Sequence, residues 1–270
     1  MRIPLLSLCF VSYGFAQVTV LTLAQVKLQS RLERYEGKNE VRGDTLKSLF
    51  EEAGCAGEWL TAQGIKSNPR PNVICTLKGQ QENVIVVGAH YDKTYDGDGV
   101  VDNWSGAGLL PSLYESLAGK PRRHTFVFVG FTDEEKGLVG SEYYVKSLKP
   151  EDLARTRAMV NIDSVGLSST KIWTSRADKA LLDYLFRAAA ALNLPVDGID
   201  VDKVGDSDSH PFARRKIPVI DFHSITQDTL RILHSRYDKL SAISRDDYYA
   251  TYRLISVYLA YLDSKLDAGD

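Results

Sequence analysis

Hydrophobic positions along this chain follow two periods that alternate with one another. Apolar residues at intervals of three and four predict amphipathic helices, whereas short runs of consecutive apolar residues predict strands covered on both faces. The predicted helices span residues 23–35, 42–54, 105–117, 138–148, 179–192 and 246–262. The predicted strands are NVICTL, NVIVVGAHY, TFVFVGF, AMVNIDSVG, KIWTS and IPVIDFHS. This alternation predicts an α/β fold with a mixed, mostly parallel central sheet sandwiched between helices.

Polar residues follow four of these strands at the point where each apolar run ends. The four segments are VVGAHYD, FVGFTDEE, MVNIDS and VIDFHS. In sheets of this kind, ligands bind beyond the carboxyl ends of the strands. The pattern therefore predicts a functional site at one edge of the sheet, built from histidine and carboxylate side chains.

The adjacent carboxylates Glu134 and Glu135 require either a cation or different roles, because like charges at contact distance repel one another. A set of histidine and carboxylate ligands without cysteine suits zinc first, with manganese or cobalt as alternatives. The candidate ligands are His90, Asp92, Asp102, Glu134, Glu135, Asp163, Asp208, His234 and Asp238. This set is too large for one ion and fits two ions that share a bridging carboxylate. A proton acceptor beside the ions would then activate water.

Six motifs occur in a fixed order between about residues 83 and 238, and they resemble a known family. They are GAHYD, DNWSGA, DEEKGLVGS, NIDSVG, SDSHPF and HSRYD. The chain is similar to the M28 zinc peptidases, the co-catalytic di-zinc aminopeptidases. This resemblance implies the α/β/α fold of the zinc exopeptidases and two Zn²⁺ ions. It also implies hydrolysis of N-terminal amino acids from peptides with a free N-terminus.

The resemblance also implies a role for each matching residue. The implied metal ligands are His90 and Asp163 on one zinc, Glu135 and His234 on the other, and Asp102 bridging both. Glu134 would be the general base, which takes a proton from the attacking water and passes it to the leaving amine. Asp92 would orient His90, and Asp238 would do the same for His234. The family further implies a cis peptide bond between Asp102 and Asn103.

His223 is an alternative to His234 as a ligand, because it also follows a strand end. The spacing within HSRYD favours His234 and leaves His223 to line a pocket. Two alternative functions remain open. One is a glutaminyl cyclase, which shares the fold but uses one zinc and no attacking water. The other is a binding protein that has lost catalysis.

The chain departs from the family pattern at a few positions. Ser209 stands where the family often has histidine, so His210 receives no catalytic role. We expect Asp208 to cap a helix, with ordering of the site as the alternative role. Trp104 stands where a small residue is more common, and it either shapes a pocket wall or packs. His124 follows KPRR at the start of a strand and is predicted to face solvent.

The N-terminal segment MRIPLLSLCFVSYGFAQ predicts a signal peptide over residues 1–16, followed by a single domain over residues 17–270. Its apolar run is too short to span a bilayer, and no other segment predicts a membrane helix. A formal net charge of −2 argues against binding to nucleic acid. The sequence leaves the oligomeric state open.

Two cysteines, Cys55 and Cys75, remain after removal of the predicted signal peptide. Leftover cysteine pairs in oxidising compartments often form disulfides, so the sequence predicts a bridge between them. The predicted location is therefore secreted or periplasmic.

Overall fold

The computed structural model describes residues 20–66, 68–202 and 205–267, so the predicted signal peptide lies outside the described residues. The strands within these ranges are β1 Leu60–Ile65, β2 Asn68–Leu77, β3 Val84–His90, β4 Thr125–Phe131, β5 Thr156–Ile162, β6 Lys171–Ile172, β7 Asp197–Gly198 and β8 Val219–His223. They form one mixed sheet in the order β1-β2-β4-β3-β5-β8-β6-β7.

Helices cover both faces of this sheet. They are α1 Gln25–Leu32, α2 Asn39–Glu52, α3 Ser105–Ala107, α4 Leu110–Leu117, α5 Val139–Ser147, α6 Pro150–Arg155, α7 Lys179–Leu192, α8 His210–Ala213 and α9 Arg245–Lys265. Helices α2, α4, α7 and α9 contribute to the larger apolar core on one face. Tyr144 of α5 and Phe212 of α8 belong to a smaller core on the other face. The predicted α/β fold with a sheet between helix layers is confirmed.

The centre of the sheet is parallel, with β3 between β4 and β5, and β8 beside β5. Antiparallel strands flank this centre, since β2 pairs with β4 and β6 pairs with β8. In the register, His90 lies opposite Phe131, Gly88 opposite Asn161, and Asn161 opposite Asp221. The carboxyl ends of β3, β4, β5 and β8 therefore meet at one edge, where the sequence predicted a functional site.

Several elements differ from the sequence predictions. Strands β1 and β7 and helix α6 were not predicted, and the predicted KIWTS strand is reduced to Lys171–Ile172. The helix predicted over residues 105–117 is interrupted between α3 and α4. Gly106 in α3 lies very close to the end of β5, since a Cβ atom there would be 2.4 Å from the carbonyl oxygen of Ile162. The chain passes too close to β5 at this point for any larger residue.

The prediction that His124 faces solvent is wrong. The residue is fully buried at the start of β4, and its Nδ1 lies 3.0 Å from Asp263 Oδ1 near the end of α9. Asp263 also accepts hydrogen bonds from the backbone amides of Arg123 and His124. Local sequence gave no signal of this contact, because Asp263 lies 139 residues farther along the chain.

The predicted disulfide is confirmed, since Cys55 and Cys75 are bonded and both are buried. The bridge joins the turn after α2 to the middle of β2 and closes a segment with a sequence separation of 20. It therefore fixes α2 against the antiparallel side of the sheet. Among the described residues, none of the helices has the length and hydropathy that a bilayer crossing requires.

Candidate metal centre

His90 is the last residue of β3, and its imidazole lies against two aspartates at the parallel edge of the sheet. Its Nε2 atom is 3.1 Å from Asp102 Oδ1 and 3.6 Å from Asp163 Oδ1. Asp163 directly follows β5, whereas Asp102 lies in the turn before α3. The His90 ring is almost completely buried. Three separate segments thus bring one histidine and two carboxylates together.

Asp102 contacts a second histidine through its other carboxylate oxygen. Asp102 Oδ2 lies 3.1 Å from His234 Nε2, and that nitrogen is 3.2 Å from Glu135 Oε2. Glu135 follows β4, and His234 lies between β8 and α9. Asp102 therefore stands between two pairs of side chains, His90 with Asp163 and Glu135 with His234, as a bridging carboxylate would.

The donor atoms of these residues fit a pair of metal ions. In each of the two groups, one made of His90, Asp102 and Asp163 and the other of Asp102, Glu135 and His234, the donors lie within 4.8 Å of one another. A third such group contains His90 with Glu134 and Glu135. Glu135 Oε1 is buried and has no hydrogen-bond partner in the described structure, which leaves one oxygen for an ion. Imidazole and carboxylate donors suit zinc.

Protons occupy this cluster when it holds no metal. Hydrogen bonds to Asp102 and Glu135 raise the pKa of His234 to about 11. Burial lowers the pKa of His90, but the carboxylates of Glu134 and Asp163 outweigh burial and hold that pKa well above its ordinary value. Both histidines are therefore cations that neutralise the acidic cluster. A metal ion must displace these protons in order to bind.

Asp92 connects the loop of the two glutamates to the end of β3. Its Oδ1 accepts a hydrogen bond from the amide of Glu134 at 3.0 Å, and its Oδ2 accepts one from the amide of Glu135 at 3.3 Å. Asp92 Oδ1 also lies 3.5 Å from His90 Nδ1. The hydrogen bonds of Asp92 thus hold the glutamate backbone, whereas His90 Nδ1 has no hydrogen-bond partner among the described residues, so an orienting role of Asp92 toward His90 stays a prediction.

Glu134 lies beside the cluster and forms no ion pair with either histidine among the described contacts. Burial raises the pKa of its carboxyl to about 9 in the metal-free chain, and the nearby carboxylates of Asp208 and Asp163 add to this effect. The charge of bound metal ions would lower this pKa, as a base that must accept a proton near neutral pH requires. Glu135 differs, since its carboxylate pairs with His234.

Two residues fix the position of Asp102. Asp238 accepts hydrogen bonds from the amides of Val101 at 2.7 Å and Asp102 at 3.1 Å, so it orients the Asp102 segment and not His234 as predicted. Asn103 donates to the carbonyl of Ile162 and accepts from the amide of Ser164, on either side of Asp163. The Asp102–Asn103 peptide bond is cis, as the resemblance implied. The role of Asn103 was not predicted.

The prediction that Asp208 caps a helix is wrong. Helix α8 begins after Ser209 and has no side-chain cap, whereas Asp208 is buried with both carboxylate oxygens lacking a hydrogen bond. Burial raises its pKa to about 7, and His90 and Asp163 are among the charges that act on it. Asp208 is therefore a further buried acid beside the cluster. Its approach to His90 depends on tertiary packing and left no local signal.

His223 lines the cavity beside the cluster and belongs to none of the three donor groups. Its Nε2 donates to the carbonyl of Ile199 and its Nδ1 accepts from the amide of Ile225, so both ring nitrogens are occupied. The cavity has a volume of about 370 Å³. Its lining includes candidate ligands together with Glu134, Asp206 and Asp221. Most of its remaining surface is apolar and comes from Leu138, Trp173, Val201, Phe222, Ile225, Leu230 and Leu233.

The residues of this site lie within a segment that matches a known protein family. The profile of peptidase family M28 matches residues 72–259, which include all the residues of the three donor groups. The chain belongs to peptidase family M28. The helices α1 and α2 lie before the matched residues.

Among curated proteins, this M28 chain is similar to the aminopeptidase YwaD of Bacillus subtilis, with 27% identity over 194 residues. That match covers 69% of this chain and 41% of YwaD. It is also 38% identical over 96 residues to an aminopeptidase of Pseudomonas aeruginosa, covering 35% of this chain and 18% of that protein. The chain thus spans less than half the length of these relatives.

Two solved structures share its fold. The aminopeptidase LapA of Legionella pneumophila superimposes with a TM-score of 0.76 at 22% identity, covering 90% of this chain and 71% of LapA. A glutaminyl cyclase from an Acidobacteriales bacterium also superimposes with a TM-score of 0.76, at 20% identity. That alignment covers 94% of this chain and 99% of the cyclase.

Proposed function

We propose that this protein is a secreted or periplasmic aminopeptidase. It would use two zinc ions to remove N-terminal amino acids from peptides. The observation that carries the proposal is the position of Asp102 between two groups of donors, with Glu134 beside them. In this proposal His90 and Asp163 hold one ion, and Glu135 and His234 hold the other. The N-terminal signal pattern and the disulfide support export.

When bound, the two zinc ions would activate water and polarise the scissile carbonyl. Glu134 takes a proton from the attacking water and transfers it to the leaving amine as the carbon–nitrogen bond breaks. Its side chain pairs with neither histidine among the described contacts, which leaves it available to carry this proton. Asp92 holds Glu134 in place through the backbone amide.

The cavity supports a preference for bulky apolar N-terminal side chains. Its lining carries aliphatic and aromatic groups, among them Trp173, Phe222 and Leu233. Burial lowers the pKa of His223 to about 4, so this imidazole adds no charge to the wall at neutral pH. A cavity of about 370 Å³ has room for a leucine or phenylalanine side chain. Asp206 and Asp221, which line the cavity outside the candidate metal centre, already have partners, since Asp206 pairs with Arg176 and Asp221 accepts hydrogen bonds from Ser207 and Ser209. A charged side chain would therefore lose hydration there for little gain.

A second candidate is a glutaminyl cyclase, which closes N-terminal glutamine into a ring with one zinc ion. The observation in its favour is the alignment with the bacterial cyclase over nearly the whole of both chains. Against it stand the two donor groups that share Asp102, since a single ion would leave the remaining residues of one group without a metal. Metal stoichiometry and the product formed from a glutamine peptide separate the two candidates.

The deciding experiment compares the purified protein with its Glu134→Gln and Glu135→Gln variants. We measure bound zinc and the hydrolysis of leucine, phenylalanine, lysine and glutamate anilides, together with conversion of an N-terminal glutamine peptide. The wild type is expected to bind two zinc ions and to prefer the leucine and phenylalanine anilides. Glu134→Gln should keep both ions and lose about 10²–10⁴-fold in kcat, the usual contribution of a general base.

Glu135→Gln is the matched control, because it changes the neighbouring carboxylate in the same way. It should lose zinc as well as activity, since Glu135 contacts His234 within a donor group. If Glu134→Gln loses zinc and Glu135→Gln keeps it, the two roles are reversed. One zinc per chain with ring closure of glutamine would establish the cyclase, and zinc binding without either reaction would indicate a binding protein.

A further inference from the structure

Arg42 of α2 is completely buried next to the metal centre and outside the residues matched by the family profile. Within the described part of the chain, its guanidinium donates no hydrogen bond to a carboxylate. All four of its hydrogen bonds go to backbone carbonyl oxygens. A buried arginine without a paired carboxylate costs free energy, so the contacts that it makes call for an explanation.

Three of the four carbonyls belong to the two segments that carry His90 and Asp102. Arg42 Nε donates to the carbonyl of Tyr91, the residue that follows His90. Its two terminal nitrogens donate to the carbonyls of Asp98 at 3.2 Å and Gly99 at 2.8 Å, just before Asp102. The fourth bond, to the carbonyl of Glu36 at 2.8 Å, holds the loop before α2. One planar group therefore joins two ligand-bearing segments.

The indole ring of Trp104 packs against the guanidinium of Arg42. The guanidinium carbon lies 5.2 Å from the centre of the Trp104 ring, which is also fully buried. Trp104 follows the Asp102–Asn103 peptide, and its indole nitrogen donates to the carbonyl of Arg31 in α1. The unusual tryptophan of the DNWSGA motif thus supplies a flat surface on which the guanidinium stacks.

Asn39, one turn before Arg42 on α2, makes a related contact. Its side-chain amide donates to the carbonyl of Lys93 at 2.9 Å and accepts from the amide of Lys93 at 2.9 Å. Lys93 in turn packs against the second segment, because a Cβ atom on Gly99 would lie 2.4 Å from its Cβ. Helix α2 therefore bonds to the His90 segment through both Asn39 and Arg42, and to the Asp102 segment through Arg42.

We propose that Arg42 is a positioning residue for the metal centre, because its guanidinium holds the His90 and Asp102 segments at the separation that zinc binding needs. The proposal rests on the proposed zinc centre. Only a guanidinium has the planar fork of five donors that reaches carbonyls in several directions from one buried position. Lysine keeps the charge but donates from a single point.

Charge and geometry make opposite predictions, which allows a sharp test. If Arg42 acted only through its charge, Arg42→Gln would strengthen zinc binding by removing a cation near the site, and Arg42→Lys would leave it unchanged. If Arg42 acts by holding the two segments, both variants weaken zinc binding. Outer contacts that orient metal ligands typically contribute about 10–100-fold in metal affinity.

The experiment measures zinc dissociation constants by competition with a chromogenic chelator, at a temperature well below the unfolding midpoint of each variant. We expect Arg42→Lys and Arg42→Gln each to weaken zinc binding by at least about tenfold, within the range typical of groups that orient metal ligands. The kcat on a leucine anilide at saturating zinc should fall more than the KM changes, since no contact of Arg42 reaches the cavity lining.

Arg31→Gln is the matched control. Arg31 is also buried in the N-terminal helices, but it bonds to Ser112 and Glu115, away from the two ligand segments. It should lower the unfolding midpoint without weakening zinc binding. Asn39→Ala provides a milder variant if the Arg42 variants do not fold, and it should weaken zinc binding in the same direction.

Several results would overturn the inference. They are unchanged or stronger zinc binding in Arg42→Lys or Arg42→Gln, an equal loss in Arg31→Gln, and, where the Arg42 variants fail to fold, unchanged binding in Asn39→Ala. Zinc binding by the wild type is measured first. If the wild type binds no zinc, the proposed function fails; if it binds zinc and the variants match it, only the role of Arg42 fails.

Discussion

His223 and His234 lie only eleven positions apart in the chain, yet their surroundings give them opposite protonation states. His234 lies against Asp102 and Glu135, whose hydrogen bonds raise its pKa to about 11 in the metal-free chain. His223 is buried between the carbonyl of Ile199 and the amide of Ile225, and burial lowers its pKa to about 4. The raised pKa favours the cationic form of His234 in the metal-free cluster, whereas His223 is a neutral residue in the lining of the cavity.

The neutral state of His223 predicts a loss of stability at acidic pH. Because its folded pKa lies below the ordinary value of about 6.5, its contribution is present above pH 6.5 and is lost as the pH falls toward 4. We expect His223→Gln to reduce the loss of unfolding free energy between pH 7 and pH 4.5 by about 2 kcal/mol. Urea unfolding of both proteins at the two pH values measures this. An unchanged pH dependence in the variant would contradict the assignment.

At the scale of elements, local patterns predicted helices and central strands well and interruptions poorly. Helix α7 begins and ends at the predicted residues, because its apolar spacing and the cap at Asp178 are encoded within a few positions. The break between α3 and α4 escaped prediction although Pro111, in the first turn of α4, has no amide hydrogen with which to continue the hydrogen-bond ladder of α3. Strand β1 escaped as well, because an exposed edge strand carries only a weak apolar pattern.

The contact between β4 and α9 gives a prediction at this scale. Asp263→Ala would leave the backbone amides of Arg123 and His124 without their acceptor, and the second lies at a buried residue. We expect a loss of at least about 2 kcal/mol in unfolding free energy, the usual cost of an unpaired buried donor. Asp263→Asn keeps one carbonyl oxygen and should lose less. Urea unfolding provides the measurement, and equal stability of wild type and Asp263→Ala would show that the contact contributes nothing.

For the whole molecule, we expect the acidic cluster to make stability depend on bound metal. Segments from β3, β4, β5 and the loop before α9 meet at the centre, so zinc would join most of the sheet edge to the C-terminal part of the chain. In the absence of metal, protons on His90 and His234 supply the positive charge. Stability should therefore respond to both zinc and pH.

We expect zinc at a hundredfold excess over its dissociation constant to stabilise the protein by about 2.7 kcal/mol. For a domain of this size, that corresponds to a rise of about 5–10 °C in the unfolding midpoint. At one fixed zinc concentration, the rise in the unfolding midpoint should be smaller at pH 6 than at pH 7.5, because bound protons compete with the metal. Thermal unfolding with zinc or with EDTA at both pH values tests this. A midpoint that EDTA leaves unchanged would show that folding and metal binding are not linked.

The α/β class, the edge of the sheet that carries the candidate site and the residues that cluster there could be predicted from the sequence. Strand periodicity and strand ends are local features, and the family motifs contain the clustered residues. Tertiary structure alone decided which groups surround each residue: Asp208 beside Glu134, Asp238 at the Asp102 backbone, and Arg42 between two ligand segments. Such contacts join residues far apart in the chain, so they depend on packing and leave no local pattern.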